Sequence, residues 1–243
     1  MKAVLKKLLL GLGYNVQGVR YTPRQMLDPA AMRLLSFDDA VSRLMFDRRS
    51  ELTFIQVGVF DGVTHDPLRK YIERCGWRGV LVEPQSRAIE KLKKLYANND
   101  RIQPIHAALD GSPGSRSLYT VQGANAPAWA GGLASFSRDV VLRHEAQIPN
   151  IASMISEECV PCISFDSVLS RLPTAPDLLQ IDTEGADAFI LSLFPFDRVC
   201  PAIVHWEIKH LSKVERESCM EQLSGFGYRF APSGEEDMLA VNF

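Results

Sequence analysis

Thr53-Phe54-Ile55-Gln56-Val57-Gly58-Val59-Phe60-Asp61-Gly62 decides how the chain is read. A β-rich apolar run, Leu52–Val57, ends there in a glycine turn. Asp66-Pro67 then opens a helix that runs to Gly76, with the acid as cap and the proline suited to the first turn by its fixed φ. About 20 residues past the turn a second apolar run, Gly79-Val80-Leu81-Val82, stops at Glu83. Strand, glycine loop, helix, strand and acid make a βαβ unit suited to a nucleoside-bearing cofactor. Its loop lets a ligand approach the backbone, and its carboxylate waits for ribose hydroxyls.

The pattern continues outward. Ser86–Tyr96 puts Ile89, Leu92 and Leu95 on one helical face and lysines on the other. Ile102–Leu109 reads as the third strand and Ser117–Val121 as a short one. Further strands are predicted at Cys159–Ile163, Asp177–Ile181 and Ala202–Trp206, with helices at Phe165–Leu172 and Asp187–Phe194. Ser212 and Glu215 form a capping box for a last helix. A terminal hairpin pairs Tyr228–Ala231 with Met238–Phe243 around Ser233-Gly234-Glu235. Alternating strands and helices define an α/β fold, a doubly wound and mainly parallel sheet closed by that antiparallel hairpin.

Residues 1–50 read as an N-terminal helical arm ahead of the domain at 51–243. A short amphipathic helix at its start would pack on the domain or a partner. Leu34, Leu35, Val41, Leu44, Met45 and Phe46 then recur near helical spacing after Ser36 or Asp38 as cap. Residues 122–158 are rich in glycine, alanine, proline and polar residues and lack a long strand pattern. A stretch of that length in a compact domain is expected to be a lid or binding loop.

The chain has 243 residues and a net charge of -2, a balance that argues against a general electrostatic nucleic-acid binder. No run approaches the ~18 apolar residues of a membrane span, so no stable membrane insertion is expected. The five cysteines are scattered and odd in number, which fits a reducing, cytoplasmic setting. Cys159-Val-Pro-Cys162 lacks a following helix or a second pair and reads as buried strand cysteines.

Open α/β sheets bind ligands beyond the carboxyl ends of their strands. Collected there are Gly58, Asp61 and Gly62 after the first strand, then Glu83 and Pro84, then His106, Ala107 and Ala108. Asp182, Thr183, Glu184 and Gly185 follow the next core strand, and His205, Glu207 and His210 the one after it. A dinucleotide loop wants G-x-G-x-x-G; this one is G-x-x-D-G, whose acid would repel a pyrophosphate and suits a cationic ligand such as the sulfonium of S-adenosylmethionine.

The segments Phe54–Gly62 with Asp66-Pro67, Leu81-Val-Glu-Pro84, Ala107-Ala108 and Leu179-Gln-Ile-Asp-Thr-Glu-Gly-Ala-Asp187 resemble the FkbM family of S-adenosylmethionine-dependent methyltransferases, from about Leu52 to the C-terminus. The resemblance implies a class I methyltransferase (Rossmann-like) sheet and O-methylation of a hydroxyl on a sugar, glycan or natural product. It implies that Gly58, Asp61 and Gly62 line the methionine end of the cofactor, that Glu83 takes the ribose hydroxyls, and that His106, Ala107 and Ala108 border the adenine. Gln56 and Pro84 complete that set, and Asp182 stands near the reacting centre. Gln56 departs from the pattern, because class I enzymes often carry an acid there. Asp182 and Glu207 fall where some sugar methyltransferases hold a divalent metal, but no full ligand set is visible and no metal is predicted.

The expected reaction is in-line displacement of the methyl by an acceptor oxygen, with Asp182, Glu207, His205 or the lid residue His144 as base. Trp129 and Phe136 of the lid could stack on a sugar or pack as core. Two other readings stay open: a nicotinamide-dependent oxidoreductase, and an inactive methyltransferase-like binding subunit. A homo-oligomer is compatible with either.

Overall fold

The computed structural model describes residues 35–48, 52–123 and 125–243. The amphipathic start of the arm lies outside these. Elements in chain order are α1 (Phe37–Arg48), β1 (Thr53–Val57), α2 (Arg69–Cys75), β2 (Arg78–Glu83), α3 (Ser86–Leu95), β3 (Ile102–His106), β4 (Ala108–Leu109) and β5 (Gly114–Val121). Then come β6 (Ala134–Ser135), α4 (Arg138–Leu142), β7 (Ile155–Ile163), α5 (Phe165–Leu169), β8 (Leu178–Ile181), α6 (Asp187–Leu193), β9 (Ile203–Glu207), α7 (Lys213–Ser224), β10 (Arg229–Ser233) and β11 (Asp237–Val241).

Seven strands form the main sheet in the order β10-β11-β9-β8-β1-β2-β3. β1 pairs in parallel with both β2 and β8, so the chain reverses its direction of winding at β1. That reversal opens a crevice above the carboxyl ends of β1 and β8. The hairpin β10–β11 closes the far edge antiparallel to β9, as its sequence pattern predicts.

Strand alternation sorts the core into two layers. Phe54, Leu81, Leu178, Ile203 and Leu239 face α1, α2 and α3, where Tyr71 stacks flat on Trp77 at 4.7 Å. Ile55, Val80, Val82, Leu179, Val204 and Trp206 face α5, α6 and α7. Each fully buried Ile, Leu or Phe contributes about 1.5–3 kcal/mol, so this double burial fixes the strand register and the position of the strand ends. Ser36 caps α1, accepting from the Asp39 N–H at 3.1 Å while its own N–H reaches Asp39 Oδ2. The capping box of Ser212 and Glu215 opens α7.

Four expectations change. Asp66-Pro67 does not open the helix directly: Asp66 Oδ1 takes the N–H of Leu68 and Arg69, and α2 starts at Arg69. The third strand breaks at Ala107, and β4 leaves the main sheet for a second one, ordered β4-β7-β5-β6. Within 122–158, expected to lack a long strand, lie only the two-residue β6 and the start of β7, which begins at Ile155 rather than Cys159. Finally, of Cys159 and Cys162 only Cys162 is buried. Cys159 is exposed, since three residues along a strand reverse the facing side.

Candidate active site

Above the reversal lies a cleft of 1230 Å³. Its floor is the β1 loop, the ends of β2 and β8, and Ala107 and Ala108; its wall is the second sheet with the turns around Trp129 and His144. Drug-sized ligands occupy pockets of about 300–1,000 Å³, so this cleft has room for a cofactor and a second molecule.

Gly58 makes the floor. Its φ is +76°, and a Cβ there would lie 1.7 Å from the Asp182 carbonyl oxygen, so only glycine allows β1 and β8 to end so close together. Gly58 N–H donates to Val82 O and Asp182 N–H to Val57 O, which ties three strand ends into one platform. Phe60, His65 and Glu184, three of the four non-glycine residues with positive φ among the described residues, all line the cleft. Such backbone strain gathers at ligand sites.

Glu83 is buried at the platform's edge. Its Oε2 accepts from the N–H of Val59 at 3.0 Å and Phe60 at 2.7 Å, and its Oε1 from Gln85 N–H at 2.9 Å. Burial pushes its pKa up to about 7 against these three donations. Pro84, Ala107 and Ala108 line the cleft beside it. His106 does not; its Nε2 lies 2.9 Å from Pro84 O.

Asp61 and Gly62 stand outside the cleft lining. Burial raises the Asp61 pKa, but the N–H groups of Thr64 and Val63, the Thr64 hydroxyl and Lys91 outweigh it and hold the carboxyl below the usual range. A Cβ on Gly62 would press on Leu92 at 2.7 Å, so this glycine serves the packing of α3. The acid that follows β1 and does line the cleft is Asp66. Gln56 Nε2 donates to Asp66 Oδ1 at 3.1 Å, while Asp66 Oδ2 and Gln56 Oε1 are buried without a hydrogen-bond partner. Desolvation raises the Asp66 pKa, opposed by its N–H donors and Gln56. The sequence held one signal for this residue: a neutral Gln56 in a strand position where an acid is usual.

The structure separates the three catalytic candidates. Asp182, one step past β8, lines the cleft. Burial, then Asp187, Glu184 and Asp237, push its pKa up to about 7. Glu207, at the end of β9, is buried behind the lining; burial and then Asp182, Glu184 and Asp187 raise it to about 9. His205 sits in the core beneath. Its Nδ1 lies 2.7 Å from Gln180 Oε1, which as a pure acceptor fixes the proton on Nδ1, and its ring packs on Phe37 at 4.7 Å. Burial drives its pKa down to about 4. His144, Trp129 and Phe136 all reach the cleft from the wall, with the Arg116 guanidinium over the Phe136 ring at 4.3 Å.

A seven-stranded sheet that reverses at β1, carries its last-formed strand antiparallel, and holds a glycine loop and an acid at the first two strand ends defines a class I methyltransferase. The chain belongs to the FkbM methyltransferase family: the family model for the Methyltransferase FkbM domain matches residues 56–230. S-adenosylmethionine is the cofactor of this family, and membership decides for methyl transfer over the nicotinamide reading.

Among solved structures, a methyltransferase FkbM from Methylobacillus flagellatus KT is 10% identical, with 89% of this chain and 51% of that chain covered, at a TM-score of 0.45. Aeropyrum pernix fibrillarin in complex with natively bound S-adenosyl-L-methionine is 12% identical, covering 79% and 68%, at 0.40. A precorrin-6y C5,15-methyltransferase from Geobacter metallireducens GS-15 is 10% identical, covering 94% and 93%, at 0.41. No curated protein matches the chain. Among the described residues no helix is long and apolar enough to cross a membrane.

Proposed function

We propose that the chain transfers the methyl group of S-adenosylmethionine to a hydroxyl oxygen of a sugar, glycan or natural product, with Asp182 as the base. The observation that carries this reading is Asp182 itself. It is a carboxyl held near neutrality at the junction of the glycine platform and a walled cleft large enough for two molecules.

The residues present fit the cofactor. Asp66 Oδ2 and Gln56 Oε1 are paired acceptors without a donor in a cleft expected to receive an ammonium group. We therefore assign the amino-group contact to Asp66 with Gln56, and leave Asp61 the task of shaping its own loop. Gly58 gives backbone access to the methionine end. An ionised carboxylate offers about four acceptor sites, and three on Glu83 hold N–H groups, so one remains for a ribose hydroxyl. Pro84, Ala107 and Ala108 offer a flat surface for the adenine.

S-adenosylmethionine supplies an electrophilic methyl on a sulfonium. The chain's part is to hold the acceptor oxygen in line at about 3–3.5 Å and to take its proton on Asp182. Trp129 and Phe136 would stack on the acceptor and exclude water, so that residues 122–158 act as the acceptor-facing wall. Burial, with Asp187, Glu184 and Asp237 as neighbours, raises the basicity of Asp182, and Glu207 stays behind it.

Calorimetric titration with S-adenosylmethionine, S-adenosylhomocysteine and NAD, followed by isotopic methyl transfer to a glycan panel, tests the proposal. Binding of the two sulfur nucleosides but not NAD, with label recovered on an acceptor oxygen, is the expected result. Label on nitrogen or carbon would refute the O-methyl assignment, and binding without turnover on any acceptor would favour the inactive binding subunit.

A further inference from the structure

We propose that Glu184, Glu207 and His210 form a site for one divalent first-row transition cation, of the Mn²⁺ or Zn²⁺ type. The three side chains come from two neighbouring strand ends of the main sheet. Glu184 follows β8, Glu207 ends β9, and His210 lies in the turn after it. His210 Nε2 is 3.1 Å from Glu184 Oε2 and 4.0 Å from Glu207 Oε1, and one donor atom from each lies within 4.8 Å of the others. Ligands bound at about 2.0–2.2 Å around one ion sit roughly 3–4 Å apart, so small side-chain rotations complete the set.

A second observation points to a ligand. Glu207 is only 7% exposed, and its Oε2 has no hydrogen-bond partner. A buried carboxylate oxygen without a donor is costly unless something positive reaches it. Lys209 acts on Glu207 at a distance but is itself paired with Glu236 at 2.9 Å. Asp182 is close enough to act electrostatically on Glu207, so the region is rich in acids around the His210 imidazole, with the His144 ring 6.1 Å from it.

The backbone is shaped for the same meeting. Glu184 holds a φ of +53°, and the following Gly185, at +104°, brings the chain so near His210 that a Cβ would lie 3.3 Å from the His210 Cβ. One imidazole nitrogen with two carboxylates is a donor set for borderline cations rather than for calcium or magnesium. Three protein donors leave room for outside oxygen ligands. Glu184 and His210 line the cleft, so those positions face the space assigned to the acceptor. An acceptor hydroxyl held there would lose its proton more readily; that consequence rests on the methyl-transfer proposal, whereas the cation site does not.

The test uses the purified full chain, stripped with chelator and titrated with Mn²⁺ and with Zn²⁺ by calorimetry, with electron paramagnetic resonance reporting bound Mn²⁺. One ion per chain is expected, with affinity falling ~10-fold or more in Glu207→Gln and in His210→Ala. Thermal unfolding and S-adenosylhomocysteine binding confirm that the variants fold. If His210→Ala does not fold, Glu184→Gln takes its place. Absence of stoichiometric binding of both ions, or binding unchanged by the substitutions, would overturn the site. Metal binding without nucleoside binding would keep this inference and sink the methyltransferase proposal instead.

Discussion

Gln56 and Asp66 act as one unit: the side-chain amide of the first donates to the carboxylate of the second across 3.1 Å, beneath the opening of the cleft. The chain thereby presents at residue 66 the charge that the end of β1 lacks. Asp66→Asn should weaken S-adenosylhomocysteine binding ~10-fold or more, the loss of a charged hydrogen bond. Asp61→Asn, with its partners in its own loop, should cost less than about 5-fold. Parallel calorimetric titrations decide between the two acids, and the reverse ranking would return the role to Asp61.

Gly58→Ala should fail at the level of the fold. The left-handed φ alone costs about 1–3 kcal/mol, and the approach to the Asp182 carbonyl adds to it. A thermal melt should show a lowered midpoint with nucleoside binding lost. A variant that melts like the parent would mean that β1 and β8 can part without harm.

Asp182→Asn should lower kcat by ~10²–10⁴ while leaving the cofactor Kd within a few-fold, because the carboxyl is assigned to the acceptor's proton and not to the nucleoside. Single-turnover transfer of isotopic methyl, read beside calorimetry, separates the two effects. Undiminished turnover would remove Asp182 as base.

Glu83 ties stability to pH. Its folded pKa, about 7, lies above the ordinary 4.5, so between these values the folded chain retains a proton that the unfolded chain releases. This contribution is fully present below about pH 4.5 and is lost as pH rises through about 7, amounting to about 3 kcal/mol at most. Glu83→Gln should flatten that part of the curve and, with an amide in place of an acceptor oxygen facing backbone N–H groups, loosen the glycine loop. Denaturant unfolding of both proteins from pH 4 to pH 8 measures it; parallel curves would show that Glu83 does not titrate in this range.

The β1 loop, the acid after β2 and the acid after β8 were legible because apolar runs ending in glycine or carboxylate have few other uses. The second sheet was legible only in part: Ser117–Val121 and Cys159–Ile163 read as strands, but not their starts or their pairing. Its central strand, β7, reads Ile-Ser-Glu-Glu-Cys-Val-Pro-Cys-Ile, half polar and carrying Pro161, which lacks the N–H a ladder wants. Its partner β5 opens on Gly-Ser-Arg-Ser and is exposed along that half. Asp61 misled for a different reason. Sequence spacing places a residue in a loop but not the direction of its side chain, and the carboxylate turned to the Val63 and Thr64 N–H groups. His205, next to Trp206 on the strand, points by alternation into the opposite layer with Phe37, as a core histidine does.

A single residue, Ala107, separates the last strand at that edge of the large sheet from the first strand of the small one. The small sheet is anchored at this joint, while β6 and the turns beyond it make no ladder with the large sheet. If the acceptor lies against that wall as proposed, lengthening or rewriting those outer turns would change which molecule is accepted while leaving the platform at the strand ends as it is.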